Sequence, residues 1–527
     1  MNAYMYKRAY TYAQVKEDMS DSEKKVKTPK TREKKPLTKK QKTILISVLS
    51  AVAVLLIAGI IVLVVVLTTT DGDGEGAKVP SRKIQYEYYV DIEDTVGFKI
   101  KDDFREDVPL KDFERVEVVS SDNLILTDDL TLKVGSSAEV GNKATYNFTY
   151  KGVVIAVVNV FVVDADAYLH TTEELLAVSQ TEDKTYVARG DFDFTGIDAK
   201  ISKFIGTIHF NHHEIKGYNA SGGGLFTELQ GATITGLDMV EVRGSTACVG
   251  SVNLGVVADY AHNSKIRYST ISGEINVTST AKADDVLFLG GFVGYASALK
   301  RKDYVGIETA YVHLVSFLDI KVSGTGDFRI GGLIGGVKNA SLRNSFNYGN
   351  VDFSVESNQV DSFKNLYLGG MVGALTKEYD VLQQSYVLDE SAGLYSYANI
   401  NVSVSGGGAH NLLNVGGIFG QLENHSIVNC TYGGKMDVNL TRASLNAGGI
   451  IGKTNNSTML KMNVRGIIVK GEMSIYSLSS VYAGGIIGEG YETQYSAVDK
   501  TITPTIDTDK SKVQGVQEAK EYVAKIK

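Results

Sequence analysis

The side chains able to do chemistry are few, and their spacing excludes more than it suggests. Eight histidines stand at 170, 209, 212, 213, 262, 313, 410 and 425. A zinc peptidase of the H-E-x-x-H type needs two imidazoles one helical turn apart with a glutamate between them. His213-Glu214 is followed by Ile215-Lys216-Gly217, so the second ligand is missing. His209, His212 and His213 are close enough in sequence for a local metal site. A polar corner of the chain accounts for them better, and neither metal nor cofactor is expected. Cys248 and Cys430 are the two cysteines, too few for a disulfide scaffold or a thiolate cluster. Buried single thiols are expected. Glycoside hydrolysis needs two carboxylates about 5–9.5 Å apart, and whether any pair exists depends on the elements that carry them.

Those elements follow a repeat. The chain has 527 residues with 54 Gly, 5 Pro and no Trp, and no G-X-Y period, which excludes collagen and Pro-rich arrays. At 43% hydrophobic it can bury a core, which excludes wholesale disorder. A five-residue unit recurs as Gly290-Gly291-Phe292-Val293-Gly294, then GGLIG at 331–335, GGMVG at 369–373, GGIFG at 416–420 and GGIIG at 448–452 and 484–488. Degenerate copies begin at Gly223 and Leu254. Its second position steps through 224, 255, 291, 332, 370, 417, 449 and 485. Such uneven spacing around a fixed core suits stacked coils with variable loops, and each unit is too short to fold alone.

Within each unit an alternating segment follows the glycines. Period-two alternation predicts one inward row of Ile275, Ile320, Val351, Ile400, Met436 and Met473. Their neighbours face outward, including Asn276, Lys321, Asp352, Asn401, Asp437 and Ser474, which form the candidate binding row for a glycan or protein ligand. The bland alternative is a solvated face. No outward strand carries two carboxylates, and the rows are read as holding no acidic pair on adjacent coils. A catalytic centre is therefore not expected, although a carbohydrate-active enzyme with a loop-built site stays open as the alternative. Three strand-like segments per repeat, over about eight coils, describe a parallel β-solenoid whose backbone groups pair from coil to coil.

The pentad resembles the GLUG repeat of bacterial surface proteins, and Gly332-Leu333-Ile334-Gly335 matches its G-L-x-G letter for letter. Elsewhere Phe, Met or Ile replaces the Leu and keeps its apolar role. The lead-in, Thr171 to Leu176 and then Tyr186 to Phe194, is similar to the capped start of right-handed β-helix surface proteins. The resemblance covers about 166–500. It implies a right-handed parallel β-helix of adhesin-like character; such repeats also stand beside IgA-cleaving peptidase domains, whose metal motif this chain lacks. Residues 84–165 alternate in short runs with turns such as Lys151-Gly152 and resemble a bacterial Ig-like β-sandwich, expected as a spacer.

The N-terminal region has a different composition. Residues 1–42 hold thirteen Lys or Arg against five Asp or Glu, whereas the whole chain carries a net −7. Ile44–Leu67 has no charge over 24 residues, long enough as a helix to cross a bilayer. A cleaved signal peptide is the competing reading, but the run exceeds an ordinary signal core. Lys and Arg stay cytoplasmic, so the N-terminus is expected inside and the rest outside, with the bilayer as partner through 43–68. Nucleic acid is excluded as a partner by the acidic ectodomain. The expected organisation is a basic cytoplasmic tail (1–42), a transmembrane helix (43–68), a linker (69–83), the sandwich (84–165), the β-helix (166–500) and a C-terminal cap or tail (501–527). The cap is expected to be helical, from the spacing of Val516, Ala519, Tyr522 and Val523. The fold class is thus all-β, with one N-terminal membrane helix. The expected function is noncatalytic, adhesin-like binding at the cell surface, with an envelope spacer as a further alternative.

Overall fold

Strands form wherever the sequence alternates. The computed structural model describes residues 83–498 except 93–94, 103–105, 128–130, 299–308, 357–362, 378–389, 406–410, 442, 456–461, 478 and 491–494, and beyond them 513–514, 518–520 and 523–526. The expected tail, membrane helix and nearly all of the linker lie outside the described residues. Among the described residues no helix is long and apolar enough to cross a membrane.

The first module is a small sandwich with strands β1 (Ile84–Val90), β2 (Thr95–Gly97), β3 (Lys101–Asp102), β4 (Glu106–Asp107), β5 (Arg115–Ser121), β6 (Leu124–Leu126), β7 (Thr131–Val134), β8 (Lys143–Tyr150) and β9 (Val153–Val162). One sheet has the order β1-β9-β8-β5 and the facing one β2-β7-β6. The Lys151-Gly152 turn joins β8 to β9 with both residues at positive φ, +49° and +76°, the geometry a two-residue hairpin requires. The described strand pairs of this module are antiparallel except one. β1 runs parallel to β9, from Ile84 opposite Ala156 to Val90 opposite Val162. No hairpin links these two strands, so no turn dictates their direction, and Ile84, Tyr86, Tyr88 and Val90 all turn into the core.

From residue 167 onward the chain winds into stacked coils. From Phe226 onward each complete coil holds four strand segments, exemplified by Ile334–Lys338, Ser341–Asn347, Val351–Val355 and Phe363–Gly369, whereas the coil from Ile201 has three. They are called first to fourth below. All pairings between coils are parallel, and the sheet of first strands has ten members, from Ile201–Phe204 to Val523–Ile526. Ten coils therefore replace the expected eight, and four segments replace three. The fourth strand went unseen because it ends on the first Gly of the pentad and follows loops of variable length. The C-terminal helix is likewise corrected: Glu518–Lys520 and Val523–Ile526 are strands that pair with the coil before them. A short helix, α1 (Thr172–Leu176), sits at the other end with Thr171 and Glu174 forming a capping box.

The predicted inward row is present. Ile275, Ile320, Val351, Ile400, Met436 and Met473 are successive Cα partners on the third strands. A second inward row follows two residues on, Val277, Val322, Phe353, Val402, Val438 and Ile475, all buried. Each such side chain contributes about 1.5–3 kcal/mol by leaving water. The second strands kink at one shared register position, held at positive φ by Tyr268, His313, Asn344, Gly393, Asn429 and Gly466 in six successive coils.

The pentad glycines act through close approach, since none has positive φ. A Cβ on Gly417 would collide with the Gly449 carbonyl and the buried Tyr432 ring. A Cβ on the fifth Gly, such as Gly373, would strike the backbone of the fourth strand in the preceding coil at Ile330. The fourth and first strands thus meet in a re-entrant corner. Their outward side chains face each other there: Phe288 and Tyr295 rings lie 4.6 Å apart, and Asn446 donates to Asn414 at 2.8 Å and to Glu489 at 2.7 Å. Replacing Gly417 by Ala is expected to cost about 1–3 kcal/mol through overpacking. Ala at Gly250, which has open space around it, should change stability by less than about 1 kcal/mol. Urea denaturation of the two variants checks this.

Candidate functional site

Polar side chains concentrate in two places, and they differ in kind. The first is the outward face of the third strands. Register places Asn276, Lys321, Asp352, Asn401, Asp437 and Ser474 in one line across six coils. Two residues on, a second line holds Thr278, Ser323, Ser354, Ser403, Asn439 and Tyr476. Both lines border one open groove of about 690 Å³. All six residues singled out from the sequence are therefore brought together. The second line was not singled out, although the same alternation that found the first would have found it. Its central members, Ser323, Ser354 and Ser403, are all serine, so the side chains there are short.

The groove's charged side chains have partners on the same face. Lys321 pairs with Glu274 at 3.1 Å, and Asp437 with Lys435 at 2.6 Å. Asn401 donates to Asp352 at 2.7 Å. The Asn276 amide and the Lys321 ammonium hold the Glu274 carboxyl below its ordinary range, and Glu274 in turn raises Lys321. Along the neighbouring corner, side-chain oxygens reach from coil to coil. Asn350 N–H donates to Asp319 Oδ1 (2.7 Å), Asn399 N–H to Asn350 Oδ1 (3.3 Å), and Lys435 N–H to Asn399 Oδ1 (3.1 Å).

One juxtaposition corrects the sequence reading: Glu274 and Asp319 are Cα partners on adjacent coils, an acidic pair where none was expected. The expectation of no acidic pair covered both outward lines, and it fails on the line that begins at Glu274. Each carboxylate of the pair has partners of its own. Glu274 is engaged by Asn276 and Lys321, and Asp319 accepts from both the backbone and the side chain of Asn350. A general acid needs a carboxyl held above its ordinary range, and Glu274 is shifted the other way.

The second concentration lies where β1 packs on the early coils. Asn211 clasps Tyr89, donating to its carbonyl and accepting from its N–H, both at 2.8 Å. His209 stacks on the Tyr89 ring at 3.5 Å and bonds Thr235 at 2.7 Å. His212 lies 3.4 Å from Asp238, with both side chains buried. His213 contacts Asp191, which also pairs with Lys99. The three histidines considered as a metal site thus go to three different partners, and among the described residues no group of three ligands could hold an ion. The cavity between the modules measures about 20 Å³, space for about one water. It is a docking seam, and the sandwich is packed against the β-helix. Cys248 and Cys430 are both buried and unbridged; burial pushes the Cys430 thiol up to about 12.

The seam carries a pH dependence. Burial pushes His209 and His313 down to about 3, while an exposed imidazole titrates near 6.5. Between those values the unfolded chain binds more protons than the folded one, so stability is complete above about pH 6.5 and falls as pH drops toward 3. Each ring costs about 1.4 kcal/mol per pH unit within the window. His209→Phe keeps the stack on Tyr89 and removes one titration. Its unfolding free energy should fall less between pH 7.5 and 5 than that of the unaltered protein, by about 2 kcal/mol in chemical denaturation. An unchanged slope would contradict the assignment.

No known family model matches the chain, and no curated protein matches it. Among solved structures it is similar to the crystal structure of a "putative immunoglobulin A1 protease" from Bacteroides ovatus, at 14% identity over 68% of this chain and 83% of that one. The TM-score is 0.34, too low for the likeness to carry an argument about this chain's site.

Proposed function

We propose that the protein is a membrane-anchored surface protein that binds its ligand, without catalysis, along the groove of the third strands. The supporting observation is the alignment of twelve outward side chains from six coils on a single open groove. A site built from side chains on regularly spaced strands holds its geometry better than one built on loops. The anchor is the uncharged run within 43–68, with the basic tail inside and the β-helix outside. The right hand of the helix and the GLUG character of its pentads belong to the same proposal.

Binding without cleavage is favoured by the chemistry of the groove. Its carboxylates are engaged by partners, Asp437 by Lys435 and Asp352 by the Asn401 amide, which suits hydrogen bonding to a ligand and does not suit proton transfer to a leaving group. A bulky charge in the floor provides the test. Ser403→Arg should lower adhesion of cells displaying the full chain to an array of glycans and matrix proteins by at least about tenfold, a loss worth about 1.4 kcal/mol. An unchanged adhesion profile would remove the groove from the function. Release of oligosaccharides from any polysaccharide by the purified chain would replace binding with catalysis. Protease treatment of intact cells is expected to cut the repeats; if they survive while a known surface protein is cut, the outside placement fails.

A further inference from the structure

Resting on the reading of the groove as a binding site, we infer that its ligand is an extended, uncharged polysaccharide lying along the β-helix axis across successive coils. Three independent features of the groove point to this class.

The first is spacing. Equivalent groups recur once per coil, every 4.7–4.9 Å or so, along lines six coils long. An extended peptide advances only about 3.3–3.4 Å per residue, so its residues would fall out of step with the coils within two or three positions. A strand-like peptide would also seek backbone partners, and here the backbone groups are spent on the neighbouring coils. A pyranose residue is longer than an extended amino-acid residue and closer to the height of one coil, so successive rings stay nearer to step with successive coils.

The second is chemistry. The groove offers Asn amides and Ser and Thr hydroxyls, which donate and accept alike. Sugar hydroxyls have the same dual character. Lys321 and Asp437 each have an internal counter-charge and Asp352 accepts from Asn401, so a ligand need bring no charge. An anionic polymer would require a basic line, and a polycation would require an acidic one; neither line exists in the groove.

The third is position. Tyr476 stands at the C-terminal end of the serine line, 45% exposed. A Tyr ring with a free face packs well against the apolar face of a sugar and keeps its hydroxyl in water. It would seat a ring at that end of the chain while Ser323, Ser354 and Ser403 leave depth for the residues that follow.

The test uses the full chain in detergent micelles and affinity electrophoresis through gels containing soluble polysaccharides. The panel comprises uncharged polymers (β-glucan, xylan, mannan) and anionic ones (polygalacturonate, heparin), together with an immobilised peptide library. The expected result is retardation by at least one uncharged polymer. Oligosaccharide competition should strengthen with length up to about six residues, one per coil, and weaken at least tenfold in both Ser403→Arg and Tyr476→Ala. Circular dichroism of both variants should match the unaltered chain, since both side chains are exposed. Retardation only by anionic polymers, or binding only of peptides, that is lost in Ser403→Arg would overturn the polysaccharide assignment and leave the groove as a binding site. Binding of any probe that survives Ser403→Arg would overturn both.

Discussion

A backbone N–H buried away from water must find a carbonyl, and in this protein it finds one on the next coil. That requirement fixes the distance between coils and forbids slippage, because a one-residue slip would turn every inward side chain to the solvent. It accounts for the absence of proline between Pro109 and Pro504, since each strand must donate to its neighbour. It also sets the glycine pattern. At the re-entrant corner backbones converge, and a Cβ on pentad glycines such as Gly290, Gly331, Gly373 or Gly417 would occupy space already held by a carbonyl or an amide. The groove is a consequence of the same register. Asn276 and Ser474 lie 198 residues apart in sequence, and only an unbroken series of coil-to-coil pairings makes them members of one line.

Much of this was legible before any coordinates, for a physical reason. Period-two alternation is a local signal, and where one face is buried it specifies side-chain direction without ambiguity. The inward row from Ile275 to Met473 and the outward row from Asn276 to Ser474 were both readable on that basis. Features that depend on distant contacts were not. The fourth strand, such as Phe363–Gly369, shares its last residue with the pentad and so read as part of the corner. The helical spacing of Val516, Ala519, Tyr522 and Val523 lost to the unpaired edge of the coil before it, which offers a full set of backbone partners that an isolated helix turn lacks. Glu274 and Asp319 were legible on the same basis, since the alignment that sets Asn276 opposite Lys321 also sets Glu274 opposite Asp319, and the expected lack of an acidic pair was mistaken on the sequence itself.

The sandwich shows the same limit. Its strand pattern was visible, but its docking was not, because Tyr89 meets Asn211 across 122 residues and Gln85 meets His313 across 228. Docking explains why polar and aromatic residues crowd the early coils. The kink that Asn and Gly accommodate in later coils is held there by Tyr268 and His313, bulky residues in a conformation that disfavours them. Both line the seam against the sandwich. The strain is offset by burial of the rings, so β1 and the early coils stabilise each other. The groove lies on the third strands and the seam on the second strands of overlapping coils, so the two faces are distinct.

The central claim is that six coils align their outward residues in one straight line. Nitroxide labels at positions 276 and 474, with the two buried cysteines replaced by Ala, would measure that line directly by electron–electron dipolar spectroscopy. Five coil steps of about 4.8 Å predict a single narrow distance near 24 Å, widened by a few ångströms for the label arms. A broad distribution, or a distance beyond about 40 Å, would contradict the register on which the groove depends.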